Sequence, residues 1–152
     1  MIYHLAQANI AIARYIYDDP RFSGFVDNLD RINALADSAP GFVWRRINDE
    51  NDQEVQAVFG EDELIFNMSV WESTEELNDY VYQTAHVDIL RKRADWFVPQ
   101  KRPVMALWWQ AAGTLPTVAE AKTRLDILAD KGPTAEVFTF RSQFPAPQTV
   151  EK

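Results

Sequence analysis

The sequence predicts an α+β domain built on a four-stranded antiparallel sheet with helices between its strands. Three observations predict this class. Apolar and polar residues alternate over residues 64–71, which is typical of a half-buried strand. Apolar residues recur at helical spacing after Asp19 and Pro20, and capping boxes begin at Ser73 and Thr117. The chain therefore combines strands and helices in alternation.

The first half of the chain is predicted as strand, helix, strand. Residues 3–10 alternate between two faces and form the first strand. A helix begins at Pro20, because the fixed φ of proline suits the first helical position, and it ends before Pro40 and Gly41. Residues 42–47 form the second strand. The acidic residues 48–54 are predicted as a hairpin loop, since they lack the glycine and the final glutamate of a calcium-binding loop.

The second half repeats this order and adds a helix. Residues 64–71 form the third strand, and a helix that starts at Thr74, with a break near Ala85, continues to Phe97. Residues 104–111 form the fourth strand, and a final helix runs from Thr117 to Gly132. This order is that of a ferredoxin-like β-α-β-β-α-β sheet with an added C-terminal helix. Residues 1–141 are predicted as a single domain and residues 142–152 as a flexible tail.

The composition excludes several classes of function. The 152 residues contain no cysteine, which excludes disulfides, thiolate metal sites and a cysteine nucleophile, and we expect a cytoplasmic protein. Lys and Arg number 15 against 23 Asp and Glu, and the resulting net charge of -8 disfavours nucleic-acid binding. We expect neither a signal peptide nor a membrane span. The sequence also lacks a nucleophile triad, a phosphate-binding loop and a dinucleotide fingerprint.

One face of the predicted sheet needs a cover. Both helices of a ferredoxin-like unit pack on the same face of the sheet. The other face is predicted to carry Asn9, Trp44, Asn67, Ser69 and Trp71, a set too apolar to be left to water. We therefore expect a homodimer in which a second copy covers this face.

The candidate site residues lie on this face and on the helix after the third strand. Asn9 and Asn67 are in mid-strand, where amides are unusual, so each is either bonded to a neighbour or faces a cavity. His86 is either a helix histidine bonded to a carbonyl or carboxylate, or a general base near neutral pH. Tyr80 and Tyr82 are on different sides of a helix, so we do not expect both to face a cavity.

A set of motifs extends over nearly the whole chain. It comprises His4-Leu5-Ala6-Gln7 with Asn9, Pro40-Gly41-Phe42-Val43-Trp44-Arg45, Asn67 with Ser69-Val70-Trp71-Glu72-Ser73, Tyr82 with His86, Arg93 with Trp96-Phe97, and Leu107-Trp108-Trp109. These motifs resemble an uncharacterised bacterial family, domain of unknown function 3291. The resemblance implies membership of the dimeric α+β barrel superfamily and brings no settled activity.

A more distant resemblance is to the antibiotic-biosynthesis monooxygenases and the haem-degrading enzymes of that superfamily. It is carried by Trp71-Glu72-Ser73 at the end of the third strand. The resemblance implies an Asn on the first strand, which Asn9 matches, and a His on the helix after the third strand, which His86 matches. The haem degraders have a Trp where this chain has Tyr80, so we do not expect a haem site.

These residues suggest two functions and a third option. The first is a cofactor-independent monooxygenase acting on an aromatic or quinol-like substrate in the barrel cavity, where donors hold the oxyanion of the ionised substrate. Its residues are His86, Asn9 and Asn67 as catalytic groups and Trp71, Trp44, Ser69 and Tyr82 as substrate-binding groups. The alternative is a non-catalytic small-ligand-binding or stress-related dimeric module, with both tryptophans in the core or interface. The third is a haem protein with His86 as axial ligand; otherwise no cofactor or metal is expected.

Overall fold

The sheet is ordered around its long first strand. The computed structural model describes residues 2–48, 52–61, 64–83 and 91–147. The strands are β1 (Tyr3–Ala13), β2 (Phe42–Arg45), β3 (Leu64–Trp71), β4 (Phe97–Val98) and β5 (Met105–Ala111). Neighbouring strands are antiparallel in the order β2, β3, β1, and both β5 and the short β4 pair with β1. This order confirms the predicted ferredoxin-like sheet, with β4 as an addition.

Side-chain caps begin several of the helices. The helices are α1 (Ser23–Val26), α2 (Leu29–Asp37), α3 (Gln53–Phe59), α4 (Thr74–Gln83), α5 (Arg93–Trp96) and α6 (Val118–Lys131). The Ser and Thr side-chain caps of both predicted capping boxes are confirmed. Ser73 Oγ accepts a hydrogen bond from Glu76 N at 3.2 Å, and Thr117 Oγ1 accepts one from Glu120 N at 3.1 Å. α3 is a helix that the sequence analysis does not predict. It begins within the last two residues of the predicted hairpin loop, and the side chain of Asp52 caps it.

Each face of the sheet is packed by helices of the same chain. α2 and α4 pack on the face that carries Leu5 and Trp71. α3 and α6 pack on the opposite face. The buried residues of that face are Ala6, Ala8, Phe66, Met68, Val70, Ala106 and Trp108 of the sheet, Val55 of α3, and Val118, Ala121, Leu125 and Leu128 of α6. The sheet is therefore the middle layer of three.

The face that the sequence predicts to need a partner subunit is the face that α2 and α4 cover. Asn67, Ser69 and Trp71 lie on it, against Ile32 of α2 and Leu77 of α4. The prediction of an uncovered face is therefore wrong. The reason is that α3 and α6 occupy the opposite face, so both faces are packed within the described part of the chain. The homodimer stays a prediction, but the structure removes the argument from which it was made.

A β-bulge in β2 separates aromatic residues that strict alternation places on one face. Phe42 is paired with Trp71, whereas Trp44 is paired with the residue before Trp71. One extra residue therefore lies between the two pairs, and alternation is lost there. Trp44 packs against the core on the α6 face, so its predicted place beside Trp71 is wrong. The same register places Arg45 opposite Ser69, on the face covered by α2 and α4.

The segment after α6 returns to the sheet and extends the packed domain. Phe138 exchanges two backbone hydrogen bonds with Leu107 of β5, at 2.9 and 2.8 Å. Phe144 lies in the segment predicted as a flexible tail, yet it packs on Phe138 and its carbonyl accepts a 2.8 Å hydrogen bond from Trp109 Nε1. The packed part of the chain therefore reaches beyond the predicted boundary at Arg141.

Some element boundaries differ from the predicted ones. β1 continues to Ala13, and the predicted first helix consists of a 3-10 turn followed by α1 and α2. Phe97, predicted as helical, begins β4 instead. The predicted break near Ala85 lies outside the described residues. Within the described ranges, none of the helices combines the length and the apolar character needed to cross a membrane.

Gly41 gives a test of how the turn before β2 is packed. Its backbone is in the left-handed region, with φ of 81°, and a Cβ there would overlap the carboxyl group of Glu76. We expect Gly41→Ala to lower the free energy of unfolding by roughly 2 to 4 kcal/mol, because the left-handed backbone and the displaced carboxylate both reduce stability. Denaturant unfolding measures this loss.

Gly60→Ala is the matched control for this variant. Gly60 has φ of 70°, and no described atom lies within 4 Å of the position of a Cβ. Its replacement should therefore show the backbone effect alone, about 1 to 2 kcal/mol. Equal losses in the two variants would contradict a steric role for Glu76.

Candidate functional site

A small cavity lies between the sheet and helices α2 and α4. Its volume is about 50 Å³, enough for about three or four water molecules. The described residues that line it are Gln7, Ile32, Asn33, Ala36, Arg45, Asn67, Ser69, Trp71, Leu77, Tyr80 and Val81. The strands supply most of the polar side chains and the helices most of the apolar ones, so the sheet side of the cavity is the more polar.

Three polar side chains form a row across the sheet. Gln7 of β1 is directly opposite Ser69 of β3, and Ser69 is directly opposite Arg45 of β2. Adjacent strands are about 4.8 Å apart, so this register holds the three backbone positions within about 10 Å. All three side chains line the cavity. Both ends of the row therefore border the same cavity.

Ser69 is at the centre of a buried hydrogen-bond cluster. Gln7 Nε2 donates to Ser69 Oγ at 2.7 Å and to Asn67 Oδ1 at 2.8 Å. Trp71 Nε1, which can only donate, also donates to Ser69 Oγ, at 2.8 Å. The two donors occupy both lone pairs of the Ser69 hydroxyl oxygen. These bonds explain how an amide and a hydroxyl are tolerated in a buried part of the sheet.

One atom of this cluster has no partner. Gln7 is 4% exposed, and its Oε1 accepts no hydrogen bond from the described residues. An unpaired buried acceptor costs about 1 to 3 kcal/mol of stability. Such an atom in a polar cavity indicates a water molecule or a ligand group as its partner.

Arg45 brings a positive charge to the cavity. Its Nε donates to Asp37 Oδ1 at 2.7 Å and its Nη2 donates to Asp37 Oδ2 at 3.2 Å. The side chain of Arg45 is 23% exposed and that of Asp37 is 46% exposed. An ion pair with this much exposure contributes only about 0 to 1 kcal/mol, so another anion is able to replace Asp37.

Tyr80 lines the cavity from α4. Its hydroxyl donates a 2.9 Å hydrogen bond to the carbonyl of Ile32, which links α4 to α2, and its ring centroid is 5.1 Å from that of Trp71. Burial raises the pKa of Tyr80 to about 12, with Asp37 adding to the rise and Arg45 opposing it. The phenol is therefore protonated near neutral pH, and Tyr80 is a hydrogen-bond donor there rather than a base.

The structure brings together three of the predicted site residues. Asn67, Ser69 and Trp71 line the cavity. Asn9 is directly opposite Asn67 in the sheet but is not among the described residues that line the cavity. The predicted base, His86, lies outside the described residues.

Two predicted substrate-binding residues lie away from the cavity. Trp44 is on the opposite face of the sheet. Tyr82 is 50% exposed and packs on Phe140, whereas Tyr80 faces the cavity. Neither lines this cavity, because the bulge in β2 turns Trp44 away and the helical repeat of α4 turns Tyr82 outward; their role in substrate binding stays a prediction.

The predicted site lacks several residues that line the cavity, among them Gln7, Arg45 and Tyr80. Gln7 shares a strand face with Asn9 by alternation, so its polarity is a usable signal in the sequence. Alternation puts Arg45 and Arg46 on opposite faces, but the bulge that decides which of them meets the cavity is not visible in the sequence. Tyr80 is distinguished from Tyr82 only by the side of α4 that meets the sheet.

Comparison with known proteins gives a family and two distant likenesses. The family described as Domain of unknown function (DUF3291) matches residues 4–152. No curated protein matches the chain. The crystal structure of NE2512, a protein of unknown function from Nitrosomonas europaea, has a TM-score of 0.49 and 12% identity over 76% of this chain and 97% of that chain. The crystal structure of SnoaB, a cofactor-independent oxygenase from Streptomyces nogalater, has a TM-score of 0.49 and 18% identity over 75% of this chain and 98% of that chain. Neither likeness is close enough to transfer a function.

The raised pKa of Tyr80 predicts a loss of stability at alkaline pH. In the unfolded chain the phenol ionises near its usual pKa of about 10, whereas in the folded protein its pKa is about 12. Its stabilising contribution is therefore complete below a pH of about 10 and is lost as the pH rises towards about 12. We expect Tyr80→Phe to lose stability less steeply than the wild type over this range, as measured by denaturant unfolding.

Tyr82→Phe is the control, because this tyrosine is half exposed. It should keep the wild-type pH dependence. A Tyr80→Phe protein with the wild-type slope would show that another group causes the alkaline loss.

Proposed function

The chain belongs to the family described as Domain of unknown function (DUF3291), and because that description names no activity, we propose a function from the cavity. The protein binds a small organic molecule between its sheet and helices α2 and α4. The observation that carries this proposal is Oε1 of Gln7, a buried acceptor without a partner among the described residues. A hydroxyl or N–H group of a bound molecule would pair it.

The way in which Gln7 is held supports a binding site rather than core packing. A leucine at this position would pack on the apolar sides of α2 and α4 without an unpaired polar atom. The amide is instead held by hydrogen bonds to Ser69 and Asn67. These bonds pre-organise its remaining acceptor, which lowers the entropy that binding would otherwise lose.

The size and chemistry of the cavity support binding without catalysis. Pockets for drug-sized ligands have volumes of about 300 to 1,000 Å³, whereas this cavity has about 50 Å³. It admits a molecule of a few heavy atoms, or one polar group of a larger molecule. Among the described residues that line it, Tyr80 is protonated and Arg45 is a cation, so none of them is a general base near neutral pH.

Filling the cavity from α2 tests this proposal. Ala36 lines the cavity, and a methionine there would occupy much of its volume. We expect acetamide, ethylene glycol, glycolate or phenol, used as probes, to shift the NMR signals of the Gln7 side-chain amide and the Trp71 indole. The shifts should disappear in Ala36→Met, because the bound probe and the new side chain compete for the same space.

The control is Ala34→Met, which adds the same side chain at an exposed position of α2. It should bind the probes as the wild type does. The absence of any shift in the wild type, or equal binding by Ala36→Met, would contradict the proposal.

Cofactor-independent oxygenation of an aromatic or quinol-like substrate is the second candidate. The observation that favours it is the aromatic wall of Trp71 and Tyr80 beside the amide of Asn67 and the guanidinium of Arg45. Such donors hold the oxyanion that forms when a base ionises the substrate before it reacts with oxygen. The base in this candidate is His86, and the cavity must widen to admit an aromatic ring.

Replacing His86 tests the second candidate. His86→Ala should lower turnover of a polycyclic quinol, followed as oxygen consumption, by roughly 10²- to 10⁴-fold. Wild-type turnover should rise with an apparent pKa of about 6.5. His4→Ala removes the other histidine, on β1, and should leave turnover unchanged. Equal turnover in His86→Ala and the wild type would remove this candidate and leave the binding proposal intact.

A further inference from the structure

We propose that the cavity takes a small organic acid with a hydroxyl or amino group beside its carboxylate, such as a 2-hydroxy acid of the size of glycolate. Arg45 binds the carboxylate, and the hydroxyl donates a hydrogen bond to Gln7 Oε1. This inference rests on the proposed small-molecule binding and names the chemical class of the ligand.

The charge of Arg45 is the reason for an acid. Among the described residues that line the cavity, it alone carries a formal charge at neutral pH. The chain as a whole has a net charge of -8, so its long-range field repels anions and any preference for an acid must arise at close range. A guanidinium is a planar fork of five N–H donors that matches a carboxylate.

Asp37 shows which kind of group Arg45 binds. Its two carboxylate oxygens are bound by Nε and Nη2 of Arg45, at 2.7 and 3.2 Å. Nη1 makes no hydrogen bond to the described residues, so part of the guanidinium is available to a second carboxylate. Because Asp37 is nearly half exposed, a ligand competes with a weakly held internal partner.

Gln7 Oε1 is the reason for a hydroxyl or amino group. A carbonyl oxygen only accepts hydrogen bonds, so its partner must be a donor, which a simple carboxylate is not. Ser69 Oγ accepts from Gln7 Nε2 at 2.7 Å, and its own hydroxyl does not donate to Gln7 Oε1, which has no partner among the described residues. The ligand therefore needs both a donor and an anionic group.

The distance between the two groups is the reason for a short molecule. Gln7 and Arg45 are on either side of Ser69 in one row, with backbone positions about 10 Å apart. Their side chains line the same cavity of about 50 Å³. A molecule that contacts both side chains in this volume has few heavy atoms, as 2-hydroxy acids of low mass do.

Three probes separate these requirements. Glycolate carries a carboxylate and a hydroxyl, acetate carries only the carboxylate, and ethylene glycol carries only hydroxyls. Each is titrated into the full chain and followed through the NMR signals of Arg45 Nε–H and the Gln7 side-chain amide. We expect glycolate to bind about tenfold or more tightly than either of the others.

The outcomes distinguish this inference from the proposed function. If ethylene glycol, acetamide or phenol binds as tightly as glycolate, the inference is overturned while the binding function stands. If acetate binds as tightly as glycolate, the hydroxyl requirement is wrong and the proposed class is overturned. If none of the probes shifts these signals, both proposals fail.

Two variants test the role of Arg45. Arg45→Gln should weaken glycolate binding about tenfold to a hundredfold. Arg46→Gln is the matched control. Arg46 is ion-paired with Asp52 and its guanidinium lies near the ring of Phe66, on the face of the sheet opposite the cavity, so this variant should bind glycolate as the wild type does. Equal weakening in the two variants would overturn the assignment of Arg45.

Asp37→Asn should change the affinity for glycolate in the opposite direction, so the role of Arg45 is tested even if Arg45→Gln does not fold. Removing the internal carboxylate leaves Arg45 without its competing partner, so glycolate should bind about two- to fivefold more tightly. A purely structural ion pair would produce no such gain. Unchanged or weaker binding by folded Asp37→Asn would overturn the proposal.

Discussion

The antiparallel pairing of β1 with β3 is the interaction on which the rest of the structure depends. It runs without interruption from Leu5 opposite Trp71 to Ile12 opposite Leu64. Because side chains alternate along a strand, a slip of one residue in β1 would place Gln7 in the core under α6. The register therefore decides which face of the sheet is apolar throughout and which holds the buried polar cluster beside the cavity.

The charges of Arg45 and Asp37 act on the phenol of Tyr80 at the cavity. Burial is the main cause of the raised pKa of the Tyr80 phenol, Asp37 adds to the rise and Arg45 opposes it, so both charges lie close enough to affect the tyrosine. The same hydroxyl holds α4 to α2 through the carbonyl of Ile32. An anion that binds Arg45 therefore changes the electric field at the contact between the two helices that cover the cavity.

The sequence by itself determined most of the strands and helices and their order. The alternation over β3 and the capping residues Ser73 and Thr117 agree with the structure. These features depend on local periodicity and on hydrogen bonds between residues close in the chain. The place of Asn67 and Ser69 in the cavity cluster was predictable for the same reason, because they are polar residues on one face of an apolar strand.

Only the tertiary structure decided which layer covers each face, and with it the place and composition of the cavity. Periodicity shows which residues share a face, but it does not show which helix will pack there. α3 begins at the end of the segment predicted as a hairpin loop and joins α6 on one face, and the bulge in β2 exchanges Trp44 for Arg45 beside Ser69. One inserted residue reverses the orientation of the later side chains in its strand, because the side-chain repeat of a strand is two. The outcome depends on pairing between distant segments, so no local pattern in the sequence determines it.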